Sequence, residues 1–162
     1  LDRQPYLAWR AAGYLETTPG RAVSRLHLVR RLAELAQMFD LQAVAVDRWR
    51  IEDVKAMAED ADVTLPNMVP FGQGYKDMSP AIEAFETALL NRQVVHNGHP
   101  VMTMCAANAV TVSDDAENRK LSKEKATGRI DLMVAAVMAV GVAQSADAPG
   151  NIDDFINAPV WG

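Results

Sequence analysis

The sequence has little of what builds a fold or a chemistry by itself. A single cysteine, Cys105, rules out an internal disulfide and points to a reducing compartment. Aromatics make up only 6% of the 162 residues, so Ala, Val, Leu and Met must carry the core. The longest apolar run, from Ile130 to Ala143, is interrupted by Asp131 and is too short for a membrane span. The opening, LDRQPYLAWRAAG, is polar and mixes charge signs, unlike a secretory leader. Without a GxxxxGK[ST] loop the chain does not bind ATP in the P-loop manner, and without GxSxG it has no serine-hydrolase elbow. No internal repeat is visible.

What remains is ordinary globular text, 49% hydrophobic and 23% charged, enough for one domain with a real core. The net charge of −5 argues against nonspecific nucleic-acid binding through a global field. Positive charge is nevertheless clustered, first at Arg21, Arg25, Arg30 and Arg31, then at Arg119, Lys120, Lys123, Lys125 and Arg129. Such runs are ordinarily solvated faces, and they can also touch phosphates locally.

Periodicity gives alternating helices and strands, hence an α/β layered domain. The stretch up to Gly20 reads as extended or hairpin, closing on the turn TTPG. A helix follows, capped by Ser24, with Leu28, Leu32, Leu35 and Phe39 at helical spacing. LQAVAVDRW is a strand ending in Asp47, and IEDVKAMAEDAD a helix with Ile51, Val54, Met57 or Ala58, and Ala61 on one face. VTLPNMVPFGQG reads as a strand entering a glycine loop. SPAIEAFETALLN reads as a helix with Ser79 as N-cap and Pro80 at the first position. QVVHNGHPVM suggests a strand and a turn at Asn97–Gly98, then MTMCAANAV a short helix. VTVSDDAENRKLSK is a hairpin with a polar tip, and a last helix fills residues 128–143. The tail, 144–162, reads as a C-terminal arm or linker.

Two carboxylates stand out. Asp47 lies at the C-terminal end of its strand, where open α/β sheets bind ligands, yet it also suits a turn or a cap for the next helix. Trp49, two positions on, reads as core rather than as a base-stacking platform. Asp131 falls in the first turn of a helix, where the macrodipole favours an anion. By 100° per residue it shares a stripe with Ala135, Met138 and Val142, where a carboxylate needs a partner or a cation. Arg129 or Lys125 would serve as well as a metal. His96 and His99 make half a metal site at most, with no second ligand pair of zinc-like spacing, and His27 reads as an ordinary helix residue.

Ordered pieces of the chain carry a resemblance. YLAWRAAGYLETTPG, AVAVDRW, VPFGQGYKDMSPAIEAFETAL, VVHNGHPVMTMCAANAV and DDAENRKLSKEKATGRIDLMVAAVMA follow one another over residues 6–143. Together they resemble the C-terminal nuclease half of the large terminase subunit of tailed bacteriophages and prophages. The resemblance implies an RNase H-like mixed sheet with flanking helices. It implies an endonuclease that cuts concatemeric double-stranded viral DNA during packaging, in the bacterial cytoplasm, using two divalent ions, Mg2+ or Mn2+.

Asp47 and Asp131 match the family's second and third acids and are the expected catalytic and metal-binding residues. The family's first acid lies on a strand upstream of anything matching PYLAWRAAG, and Asp2 is no match for it. The expected domain, 1–143, therefore lacks its first strand, and its open edge would suit dimerisation. Lys120, Lys123, Lys125 and Arg129 become candidate phosphate contacts. The Gln73–Gly74 loop would shape the groove. The family's full-length protein adds an ATPase domain, a small terminase subunit and a portal as partners, with no membrane. The rival readings are a noncatalytic module that contacts DNA or packaging proteins, and an α/β phosphate-binding domain using Asp47 alone.

Overall fold

The computed structural model describes residues 4–144; the expected C-terminal arm lies outside the described residues. The chain runs α1 (Tyr6–Ala11), α2 (Arg25–Met38), β1 (Val44–Asp47), α3 (Ile51–Asp60), β2 (Met68–Phe71), α4 (Tyr75–Leu90), α5 (Pro100–Asn108), β3 (Thr111–Ser113), β4 (Arg119–Leu121) and α6 (Asp131–Ala143). The α/β class holds. The described strands form two pairs rather than one mixed sheet: β1 and β2 are parallel, β3 and β4 antiparallel.

The core lies between α4 and α6. Met78, Ala81, Ile82 and Phe85 recur at i, i+3, i+4 and i+7 on α4 and meet Ile130, Val134, Val137 and Met138. Ala45 of β1, Phe71 of β2 and Leu121 of β4 pack on this cluster from the strands. Gly141 makes the closest approach possible. A Cβ there would stand 2.7 Å from the Ala81 Cβ and 3.0 Å from the Phe71 ring, so a larger residue would push α6 off both neighbours. A second cluster of Val101, Met104 and Cys105 on α5 takes Trp9, Leu15 and Met133. Cys105 is buried there, a core residue.

Several local expectations are confirmed. Ser24 caps α2, its hydroxyl accepting from the His27 N–H at 3.3 Å. In α3, Ile51 and Ala58 are buried, with Val54, Met57 and Ala61 half-buried on the same face. The 111–121 hairpin forms as expected, with Thr111 opposite Leu121.

Others are corrected. Residues 6–11 are a helix, not an extended segment; Gly13 (φ 80°) ends it, with the Tyr14 N–H returning to the Trp9 carbonyl at 2.8 Å. The period of α2 is right, and Leu32 and Leu35 are half-buried as expected, but the two ends of the expected stripe are not. Val29 is fully buried and Leu32, Ala33 and Ala36 follow it, while Leu28 and Phe39 are 47% and 57% exposed. α4 starts at Tyr75 with Gly74 as N-cap, so Ser79 and Pro80 lie inside the helix. Burial of Met78, 1% exposed, explains the earlier start. Ser79 caps nothing; its hydroxyl accepts from the Arg119 N–H at 3.1 Å and ties β4 to α4. Residues 91–99 contain no strand, since Val95 is 94% exposed with nothing to pair against. Among the described residues no helix is long and apolar enough to cross a membrane.

The hairpin tip depends on one carboxylate. Asp114 accepts from the Ala116 N–H at 3.0 Å, the Asn118 N–H at 2.9 Å and the Asn118 amide. The Asn118 side chain, then these backbone donors, holds the Asp114 pKa below the ordinary aspartate value. Its stabilisation is therefore present above the unfolded-state pKa and is lost as pH falls through the lowered folded value. We expect the Ala116 and Asn118 amides to lose hydrogen-exchange protection below about pH 4. Asp114→Ala should show the same loss at neutral pH, with α4–α6 core amides unaffected.

Candidate active site

β1 and β2 run parallel and end together, Asp47 paired with Phe71, so both chains turn away at one edge. Asp47 is half-buried there. Its Oδ1 accepts from the Trp49 N–H at 3.1 Å, and its Oδ2 accepts from the Gln73 side-chain amide at 2.8 Å. The Arg50 N–H closes the turn on the Asp47 carbonyl at 2.8 Å. The turn reading of Asp47 is thus correct, whereas the capping reading is not, since Arg50 is the N-cap of α3 without any side-chain cap; among the described residues no cation pairs with the Asp47 carboxylate. The neighbouring Arg48 is bound instead to Asp77, one turn into α4. Gly72 makes that ion pair possible, because a Cβ there would overlap both the Asp77 carboxylate and the Arg48 guanidinium.

Asp131 is the first residue of α6 and carries no side-chain cap partner before it. Its side chain is 63% exposed and pairs with Lys123 Nζ at 2.9 Å. The expected burial of Asp131 is therefore wrong, although Met138 and Val142 of the same stripe are buried as expected. Ala135 is exposed as well, and the buried face begins with Val134, Val137 and Met138. A first-turn side chain points back beyond the packed helix body, which leaves Asp131 outside the core. The loop leading to Asp131 is pinned by Asn108, whose amide donates to the Arg129 carbonyl at 3.2 Å and accepts from Thr127 at 3.0 Å.

Asp47 and Asp131 thus stand on elements that pack against each other, since α6 lies on β1 and β2. Among the described residues no hydrogen bond, ion pair or shared partner links the two carboxylates. Among the described residues no group of three or more His, Cys, Asp or Glu side chains is placed to hold a metal ion. The donor chemistry still fits a hard divalent cation. Asp47 offers two carboxylate oxygens held by neutral donors with lone pairs to spare, and carboxylate is the ligand type Mg2+ and Mn2+ prefer.

The candidate phosphate contacts divide. Lys120 lies over the Tyr75 ring, 4.6 Å from its centroid, and Lys123 is engaged by Asp131. Lys125 and Arg129 are exposed, and neither side chain is ion-paired among the described residues. Arg119 makes a two-pronged pair with Glu86 at 2.7 and 2.9 Å, which raises its pKa further. His96 Nδ1 accepts from the Gly98 N–H, and the His99 ring sits edge-on to Tyr14, so the two histidines serve the turn and the packing.

Sequence reasoning missed what Gln73, Arg48, Asp77 and Asn108 do. Their partners lie about 20 to 30 positions away, where no periodicity reports contact; the flanking glycines of GQG were the only local signal.

Because Gln73 and Lys123 share no partner, their contributions should add. Gln73→Ala should lower unfolding free energy by about 1 kcal/mol, and Lys123→Ala, an exposed pair, by less than ~1 kcal/mol. Urea unfolding of both single variants and the double checks this. Coupling above about 0.5 kcal/mol would mean that the two carboxylates sense each other.

Comparison with known proteins places this geometry. Residues 1–147 match the family described as terminase large subunit, endonuclease domain. The chain is 50% identical over 161 residues to the "Terminase, large subunit" of Enterobacteria phage HK97, covering 98% of this chain and 32% of that protein. It is 27% identical over 152 residues to "Protein YmfN" of Escherichia coli K12, covering 93% and 33%. Among solved structures, the HK97 bacteriophage large terminase superposes with a TM-score of 0.83 at 52% identity, over 88% of this chain and 29% of that one. The chain spans about a third of the length of these relatives. With the family matched over nearly the whole described region, the chain belongs to the terminase large-subunit endonuclease-domain family.

Proposed function

We propose that this chain is the metal-dependent endonuclease part of a phage DNA-packaging terminase, with the RNase H-like site of that family, acting on concatemeric double-stranded DNA in the bacterial cytoplasm. The observation that carries the reading is Asp47: a carboxylate at the C-terminal edge of a parallel strand pair, oriented by an amide and a backbone N–H and paired with no cation among the described residues. Family membership supplies the reaction class, and the edge supplies a ligand for it.

Asp47 and Asp131 are the residues that would hold Mg2+ or Mn2+. When bound, such ions supply Lewis-acid polarisation of the phosphodiester and make water nucleophilic at neutral pH. The chain's own contributions are specific. Gln73 fixes the Asp47 carboxylate plane from the Oδ2 side, and the Trp49 N–H fixes it from Oδ1. Lys123 neutralises Asp131 and, once displaced, stands free beside the DNA backbone together with Lys125 and Arg129. An ATPase domain, small terminase subunit and portal are the partners proposed for the longer protein. An acid contributed from an upstream strand would complete the set.

A noncatalytic packaging module remains the second reading, favoured by the Lys123–Asp131 pair, which already satisfies one of the two acids. Plasmid cleavage and Mn2+ binding separate the two. We expect Mn2+-dependent nicking by the wild-type chain and a loss of at least ~100-fold in Asp47→Asn and in Asp131→Asn. Gln73→Ala, which removes only an orienting partner, should lose about 10–100-fold in Mn2+ affinity by calorimetry. Equal nicking by all four proteins would sink the catalytic reading, and so would Mn2+ affinity unchanged in Asp47→Asn.

A further inference from the structure

Trp49 was expected in the core and is instead 86% exposed. Looseness does not explain this. Its N–H is bonded to Asp47 Oδ1, the next residue closes the same turn, and α3 begins immediately after, so the backbone presenting the ring is held on both sides. The indole therefore projects from a fixed turn two residues from the carboxylate that carries the nuclease reading. Its sequence neighbours are drawn away from it, Arg48 to Asp77 and Arg50 to Asp53 at 3.4 Å.

The surroundings bear on what the ring meets. An exposed aromatic side chain on a turn fixed through its backbone, with an arginine on either side in sequence, is what single-stranded nucleic-acid sites use. Every base has a π-face, so such stacking needs no sequence match, and the neighbouring arginines add charge once DNA competes for them. Bases inside a duplex have no free face, so the ring's partner must be unpaired.

We infer that the Trp49 indole is a stacking platform for an unpaired DNA base at the edge of the Asp47 site. The inference rests on the nuclease reading and adds a DNA contact outside the carboxylates. It assigns Trp49 to substrate holding, so its loss should weaken binding to DNA with unpaired bases and leave both fold and duplex binding intact.

The test uses the full chain with Ca2+ and two fluorescent probes, a blunt duplex and the same duplex carrying a single-stranded tail. The wild-type chain should bind the tailed probe more tightly, and Trp49→Ala should lose about tenfold on that probe and little on the blunt one. Trp49→Phe, which keeps an aromatic face, should retain most of the affinity. Tailed DNA should also quench tryptophan emission in wild type and not in Trp49→Phe, although Trp9 and Trp161 remain. Equal affinity of wild type and Trp49→Ala for the tailed probe overturns the inference and leaves the nuclease reading standing. Failure of the wild type to bind either probe overturns both. Unchanged DNA binding with altered self-association in Trp49→Ala, read by sedimentation, overturns it in favour of a protein contact.

Discussion

The fold hangs on the approach of α6 to α4 at Gly141. With no side chain of its own, Gly141 lets the helix settle against Ala81 and the Phe71 ring. Phe71 ends β2 and is the register partner of Asp47, so the contact that seats the helix also fixes the strand edge. From there the core continues as Val137 and Met138 against Met78, Ile82 and Phe85. Fully burying such side chains contributes roughly 1.5–3 kcal/mol each, far more than the polar contacts at the edge. Apolar packing therefore decides where the edge is, and the polar network decides only how the carboxylate is turned.

That division explains how a site can be built from modest bonds. The Gln73 amide, the Trp49 N–H and the Arg48–Asp77 pair all sit on backbone already fixed by β1, β2 and the start of α4. None of them has to organise a loop. Gly72 shows the same economy: its missing side chain is the space in which Arg48 reaches Asp77, which keeps a guanidinium off Asp47. An arginine on Asp47 itself would compete directly with the cation proposed to bind there.

What could be read from the sequence was what is local. The Ser24 cap, the α3 face and the 111–121 hairpin all follow from residues within a few positions of one another. Phase and boundaries were not local. The α2 period gave a helix, but only the α3 surface selects Val29 over Leu28 as the buried position. Pro80 looked like a helix start because the N–H it lacks costs nothing there. Inside α4 a proline costs about 3 kcal/mol in the general case, and the helix extends past it because Met78, two residues earlier, is buried in the core. At the site, the strand-end position of Asp47 was legible. Its pairing with Gln73, 26 residues on, was not, nor was the exposure of Trp49, which composition alone assigns to a core.

The two carboxylates differ in a way that bears on how they would work. Asp47 is held by neutral donors, so its full negative charge is available at the edge and its orientation owes little to ionic strength. Asp131 is held by Lys123 across a mostly exposed pair, which salt screens and a divalent ion can displace. One acid is thus preorganised and the other is exchangeable. If the two acids hold a cation as proposed, Asp47 is oriented for it in advance, whereas Asp131 would first have to part from Lys123. A lysine released next to DNA adds a phosphate contact only after the carboxylate has found another partner.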